Sequence, residues 1–154
     1  MSSINKSRNQ YMTVMQSQAD GTISYCTINL LDVDFIESEN RRLVYYIGDQ
    51  RYHQITKLQE MQSVLNESDG FVSLDRTNLV NLKKVKRYDP ELGNIYFTDE
   101  IEKNSIFATI AKIKQKIMSP LIQRAIAKNT SITQEFKHEK THYSTTTKTQ
   151  NIKE

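Results

Sequence analysis

FVSLDRTNLVNLKKV, residues 71–85, joins an apolar segment, a polar bend and a second apolar run that ends in two lysines. Phe71 to Leu74 reads as a strand, and Asp75-Arg76-Thr77 reads as a polar bend. Leu79, Val80 and Leu82 resume apolar packing before Lys83 and Lys84. Downstream, Val85 to Tyr88 and Asn94 to Phe97 bracket Asp89-Pro90-Glu91-Leu92-Gly93, which predicts a hairpin, and Ser105 to Ile110 is a final strand candidate. Upstream, Thr56 is placed to cap a helix whose apolar positions Leu58, Met61, Val64 and Leu65 recur at three- and four-residue spacing. Glu60 lies one position beyond an ideal capping box, and Ser68-Asp69-Gly70 ends the helix.

Before that helix the pattern is again one of short strands. Leu43 to Ile47 and Arg51 to Ile55 flank the turn residues Gly48-Asp49-Gln50. Val33 to Glu37 is rich in β-branched and aromatic residues and is closed by the polar segment Ser38 to Arg41. Asn29 to Asp32 suits one helical turn, while Asp20-Gly21 folds Thr22 to Tyr25 back on a strand starting at Tyr11. After residue 105, Ile110, Ile113, Ile117, Leu121 and Ile122 fall on one helical face that Pro120 interrupts, predicting a short or kinked helix. Beyond Ile126 the composition shifts to Thr, Ser, Lys and Gln, and a flexible tail is expected from about Lys128. The organisation expected is a flexible N-terminus over 1–8, one domain over 9–118, and a short helix with a basic, largely disordered tail over 119–154.

Ile, Leu, Val and Phe supply 38 of the 154 residues, enough for a core and too many for a disordered chain. Cys26 is the single cysteine, so an intrachain disulfide and multi-cysteine zinc or redox motifs are ruled out. The longest apolar runs fall far short of the ~20 residues that span a bilayer. The polar start MSSINKSRNQ lacks the apolar run of a secretory signal, and a cytoplasmic protein without membrane contact is expected. Residues 1–104 hold 12 Lys and Arg against 15 Asp and Glu, and residues 105–154 hold 9 against 3. Nucleic-acid binding by the body of the fold must therefore come from local clusters, because its overall field is not positive. Two clusters qualify, Arg41-Arg42 and the set Arg76, Lys83, Lys84, Lys86 and Arg87.

Catalytic signals fail their own requirements. His138-Glu139-Lys140-Thr141-His142 fits the H-E-x-x-H pattern of a zinc protease, but it sits in a polar segment without a third ligand. His53 on a predicted strand suits a partly exposed structural residue. Asp32, Asp34, Glu37 and Glu39 alternate as solvent-exposed carboxylates do on a strand edge. No G-x-S-x-G, Walker or G-x-G-x-x-G phrase occurs. No enzymatic activity, cofactor or metal site is expected.

Phe71, Leu79, Val80, Asn81 and Val85, with D-F-I-E-S upstream and N-I-Y-F downstream, resemble the LytTR family, the β-rich DNA-binding domain of many bacterial response regulators. The family phrase is of the type F-x-R-x-H-x-S-x-x-V-N-x-x-x-I, and the resemblance covers roughly residues 9–118. It implies a mainly β, elongated fold of about ten short strands in small sheets with short helices. It also implies that loops, in place of a recognition helix, read successive major grooves, with dimers on paired half-sites that usually bend the duplex.

Carried over by position, the reading loops are 39–41, 75–77 and 109–112. Arg41 holds the first reading position, although a loop about two residues shorter allows a slip to Arg42, and Arg76 holds the second. At the third loop Thr109-Ile110-Ala111 replaces the family's Ser-Arg or Ser-x-Arg, leaving Lys112 as the substitute. Asp75 stands where the family has histidine. The resemblance further implies phosphate contacts from Thr77, Asn78, Lys83, Lys84, Lys86 and Arg87. An arginine fork donates two hydrogen bonds to guanine O6 and N7 and supplies ~1–3 kcal/mol of discrimination.

With no room for a receiver domain before residue 9, the expected function is a stand-alone bacterial transcription regulator that binds double-stranded DNA as a homodimer. The rival is a LytTR-like interaction module that has lost DNA reading and modulates another regulator, its protein partner docking on Ile110, Ile113, Ile117 and Leu121. Packing of those isoleucines on the sheet is the plainer expectation.

Overall fold

The computed structural model describes residues 9–144, with side chains through Thr130. Seven strands form one antiparallel sheet: β1 Tyr11–Ser17, β2 Ile23–Asn29, β3 Phe35–Glu39, β4 Arg42–Ile47, β5 Gln50–Gln54, β6 Phe71–Val72 and β7 Asn78–Asn81. Their order is β2-β1-β5-β4-β3-β7-β6. β8 Arg87–Asp89, β9 Asn94–Tyr96 and β10 Phe107–Thr109 form a second sheet in the order β10-β9-β8. Helix α1 is Leu58–Val64 and helix α2 is Lys112–Ser144. The mainly β architecture with about ten short strands agrees with the sequence reading.

Period-two alternation divides the core between the two faces of the large sheet. Ile36, Leu43, Tyr45 and Leu79 turn to one side and meet Val14, Leu30, Met61, Leu65 and Phe71. Their strand neighbours Phe35 and Val80 turn to the other and meet Leu74, Val85, Ile95, Ala108, Ile110 and Ile122. Because β4 is buried on both faces, its run Leu43-Val44-Tyr45 is apolar without alternation. Phe35 stacks between Tyr46 and Phe97 at centroid separations of 4.3 and 5.3 Å, joining the two sheets. Tyr45 donates from its hydroxyl to Gln54 Oε1 at 2.7 Å, and burial holds the phenol pKa above its ordinary value.

Three local expectations change. α1 begins after Lys57, not Thr56, and Thr56 Oγ1 instead donates to Glu60 Oε1 at 2.7 Å. With Lys57 as the cap, Glu60 occupies the third helical position. Ser68-Asp69-Gly70 belongs to a separate 3-10 turn capped by Asn66, with Gly70 at φ 99°. Finally, α2 is 33 residues long and passes through Pro120, where the sequence suggested a short or kinked helix. Contacts on both sides of the proline outweigh its cost. Tyr88 and Ser119 share a hydroxyl bond of 3.0 Å just before it, Ile122 is fully buried just after it, and Asn129 Nδ2 donates to Leu82 O and Val85 O. The expected N-terminal segment 1–8 and the last ten residues of the tail lie outside the described residues.

Candidate nucleic-acid interface

The three loops singled out in the sequence lie side by side at one end of the large sheet. β3 and β4 end at the Glu39–Arg42 pair, so Asn40 and Arg41 form the turn between them. One step back, Ser38 N–H donates to Thr77 O at 2.8 Å, which ties the first loop to the second. Thr109 Oγ1 donates to Asp75 Oδ2 at 3.1 Å, and Ala111 N–H donates to Leu74 O at 2.8 Å, tying the second loop to the third. Lys112 follows as the first residue of α2, whose first turn carries no acid. Arg41, Arg76 and Lys112 thus sit exposed on three loops that hydrogen bonds tie to one another.

Asn78 holds that edge together. Its Oδ1 accepts from the N–H groups of Leu74 and Asp75 at 3.2 and 3.0 Å, and its Nδ2 donates to Thr109 O at 2.8 Å. At 1% exposure it is committed to these bonds. The expectation that Asn78 contacts phosphate is therefore corrected: it clamps the loops from below. Asn81 is equally buried and donates to Leu31 O and Val33 O. Asp75, which stands where the family has histidine, has a carboxylate oxygen occupied by Thr109.

Asn40 and Arg41 have φ of 50° and 65°, the left-handed values of a type I′ turn, which favours Asn-Gly. Asparagine accepts this conformation readily, but arginine in the glycine position is strained by about 1 kcal/mol. Arg41→Gly should therefore raise stability by about 1 kcal/mol in thermal melts while weakening duplex binding about tenfold by fluorescence anisotropy. A variant stabilised with unchanged affinity would remove Arg41 from the interface. Arg42, by contrast, lies in β4 and is half-buried, with its Nε buried and unpartnered among the described residues. Arg42, Arg51, His53, Ser17, Val44 and Tyr52 line a cavity of about 220 Å³. His53 is held below its usual pKa by burial first, then by Arg42 and Arg51.

The lysine cluster is not brought to this edge. Lys83 and Lys84 follow β7 at its far end, about 13 Å along the strand from Thr77 at ~3.3 Å per residue. With Lys86, they line a cleft of about 600 Å³ that also holds Asp32, Asp34 and Gly48. Lys86 pairs with Asp99 at 3.8 Å, and Arg87 is exposed at the start of β8. Asp34 and Glu37 are half-buried, which corrects the expectation of exposed carboxylates. Burial is the main cause that raises both their pKa values; at Glu37 the charges of Glu39 and Asp75 add to it, and Arg51 opposes. Arg51 bridges Glu39 at 3.3 Å between half-exposed side chains, an interaction worth little to stability. Among the described residues Arg76 forms no ion pair with Asp75 or Asp89.

Two further cations belong to this end of the molecule and carry no local sequence signal. Lys57 shares a groove of about 620 Å³ with Arg41, Ser38 and the exposed Ile55. Lys114 donates from Nζ to Ser73 O at 3.0 Å, pinning α2 to the second loop. The histidine pair His138 and His142 falls where side chains lie outside the described residues. Within those described, no group of His, Cys, Asp and Glu is arranged to hold a metal, and no helix is long and apolar enough to cross a membrane.

Two sheets, a buried asparagine clamp and three cation-bearing loops make up the candidate site, and comparisons with known proteins place the chain among β-rich DNA-binding domains. The family model for the LytTr DNA-binding domain matches residues 24–118. The LytTr DNA-binding domain of a Bacillus cereus protein described as a methyl-accepting/DNA response regulator shares the fold, with TM-score 0.52 at 16% identity, covering 71% of this chain and 95% of that one. No curated protein matches. The chain belongs to the LytTR family of DNA-binding domains, a fold of transcription regulators and not a catalytic one.

Proposed function

We propose that this chain regulates transcription by binding duplex DNA sequence-specifically through the edge formed by loops 39–41, 75–77 and 109–112. The observation that supports this most is the hydrogen-bonded lock between the loops, from Ser38 to Thr77 and from Asp75 and Asn78 to Thr109. Rigid, neighbouring loops present cations at fixed spacing, as base readout requires. Arg41 and Arg76 read base edges, Lys112 contributes at the third loop, and Thr77 contacts phosphate. Arg42 adds charge behind the turn. Lys83, Lys84, Lys86 and Arg87 meet phosphate where a bent duplex follows the side of the sheet, so their loss weakens binding less than loss of Arg41 or Arg76. Two protomers, aligned by the duplex, occupy paired half-sites.

Selection from a random duplex pool with the 154-residue chain tests this reading and whether these residues suffice. A defined half-site should emerge, and Arg76→Ala should flatten the preference at one position, at ~1–3 kcal/mol, leaving the others intact. Enrichment of no sequence would favour the rival, an interaction module without DNA reading. One observation favours that rival: Ile113 and Ile117, expected to pack, are 83% and 77% exposed on α2, whereas Ile110 and Ile122 are buried.

A further inference from the structure

The end of the large sheet remote from β6 and β7 is β2, a full seven-residue strand with β1 as its one strand neighbour among the described residues. The opposite edge is blunted, since β6 has two residues. Proteins usually protect long edges with lysine, proline or a bulge. Here the sequence Ile23-Ser24-Tyr25-Cys26-Thr27-Ile28-Asn29 has none of these devices. Charge is missing from the whole hairpin: residues 9–31 contain one charged side chain, Asp20, in a chain that is 25% charged. Tyr25 and Ile23 are 71% and 53% exposed on it.

The backbone geometry states which groups are free. Gln18 N–H donates to Thr22 O and Leu30 N–H to Gln10 O, and the intervening register pairs Val14 with Cys26. Alternation of bonded and non-bonded pairs then spends the backbone groups of Ser24, Cys26 and Ile28 on β1 and directs those of Ile23, Tyr25 and Thr27 outward, whereas the Asn29 carbonyl closes the 3-10 turn that Asn29 caps. We propose that this edge pairs antiparallel with the β2 edge of a second copy of the chain, centred on Cys26. The register is self-complementary. Tyr25 meets Thr27 in bonded pairs that exchange two hydrogen bonds each, Ile23 meets Asn29 at the ends of the ladder, and Cys26 faces Cys26 of the other copy in a non-bonded pair. An uncharged strand opposes its own copy without repulsion, whereas a duplex has nothing to attract it there.

Sedimentation equilibrium of the full chain without DNA tests the pairing. The parent should dimerise with concentration, and Tyr25→Pro, which removes an outward donor and no bond to β1, should be monomeric. Thr27→Lys should act likewise by charging the edge. Diamide oxidation, in which two thiols yield a disulfide and two hydrogens reduce the diamide, should crosslink Cys26 about tenfold faster than a Cys26→Ser, Thr27→Cys chain, since non-bonded partners lie within disulfide reach. Exposure alone predicts the reverse order, because Thr27 is the more exposed residue. A monomeric parent, variants that dimerise like it, or equal crosslinking rates would overturn the pairing.

Discussion

Asn78→Ala should lower the melting temperature of the chain by about 10 °C and abolish selective duplex binding, although Asn78 touches no base in the proposed complex. Alanine leaves the N–H groups of Leu74 and Asp75 and the carbonyl of Thr109 without their present partner. Each orphaned group at a buried site costs about 1–3 kcal/mol, and partial access of water brings the sum to about 3 kcal/mol. That is a large part of the 5–15 kcal/mol of a typical domain. The second and third loops then lose one of their two 2.8 Å cross-links, leaving Thr109–Asp75 and Ala111–Leu74 to hold them. Thermal melting by circular dichroism checks the first effect, and anisotropy well below the melting temperature checks the second. A melting point within about 2 °C of the parent would mean that water serves those groups as well as Asn78 does.

This clamp marks the limit of what the sequence disclosed. Strands and turns were legible because their signals are local: Gly48-Asp49-Gln50 and Asp89 to Gly93 carry turn chemistry, and the apolar run of β4 announces burial on both faces. The order of Leu79, Val80 and Asn81 was legible through its likeness to a family. Asn78 was not, because a polar residue after a bend reads the same whether it faces solvent or, as here, a carbonyl 31 residues away. Lys57 and Lys114 enter the site through contacts between separate elements, which spacing along one element does not encode. The lysines at 83, 84 and 86 cluster in sequence with Arg76 yet sit at the other end of β7, since a strand carries its two ends apart. α2 outran its expected length because Ile122 and Asn129 find partners beyond Pro120, a tertiary effect that propensity alone misses.

Raising salt from about 50 to about 200 mM should weaken specific duplex binding by about 10³–10⁵, the range for six to ten neutralised phosphates. The estimate follows from counting charge at the reading edge. Arg41, Arg76, Lys112 and Lys57 stand at or beside the three loops, and two protomers double that set. Long-range attraction adds little, since residues 1–104 carry more acid than base. The dependence should therefore arise from ions released at contact, with a slope of log affinity on log salt near −0.9 per phosphate. Arg76→Ala and Lys84→Ala then separate the two ends of β7. Removing Arg76 should both flatten the slope and relax sequence preference, whereas removing Lys84 should reduce affinity slightly and uniformly, its charge being spent in part on Asp34. If the two variants behaved alike, the division between a reading edge and a remote lysine cleft would fail. A flat response of the parent chain would assign the edge to a protein partner, because contacts between neutral protein surfaces release no comparable ion atmosphere.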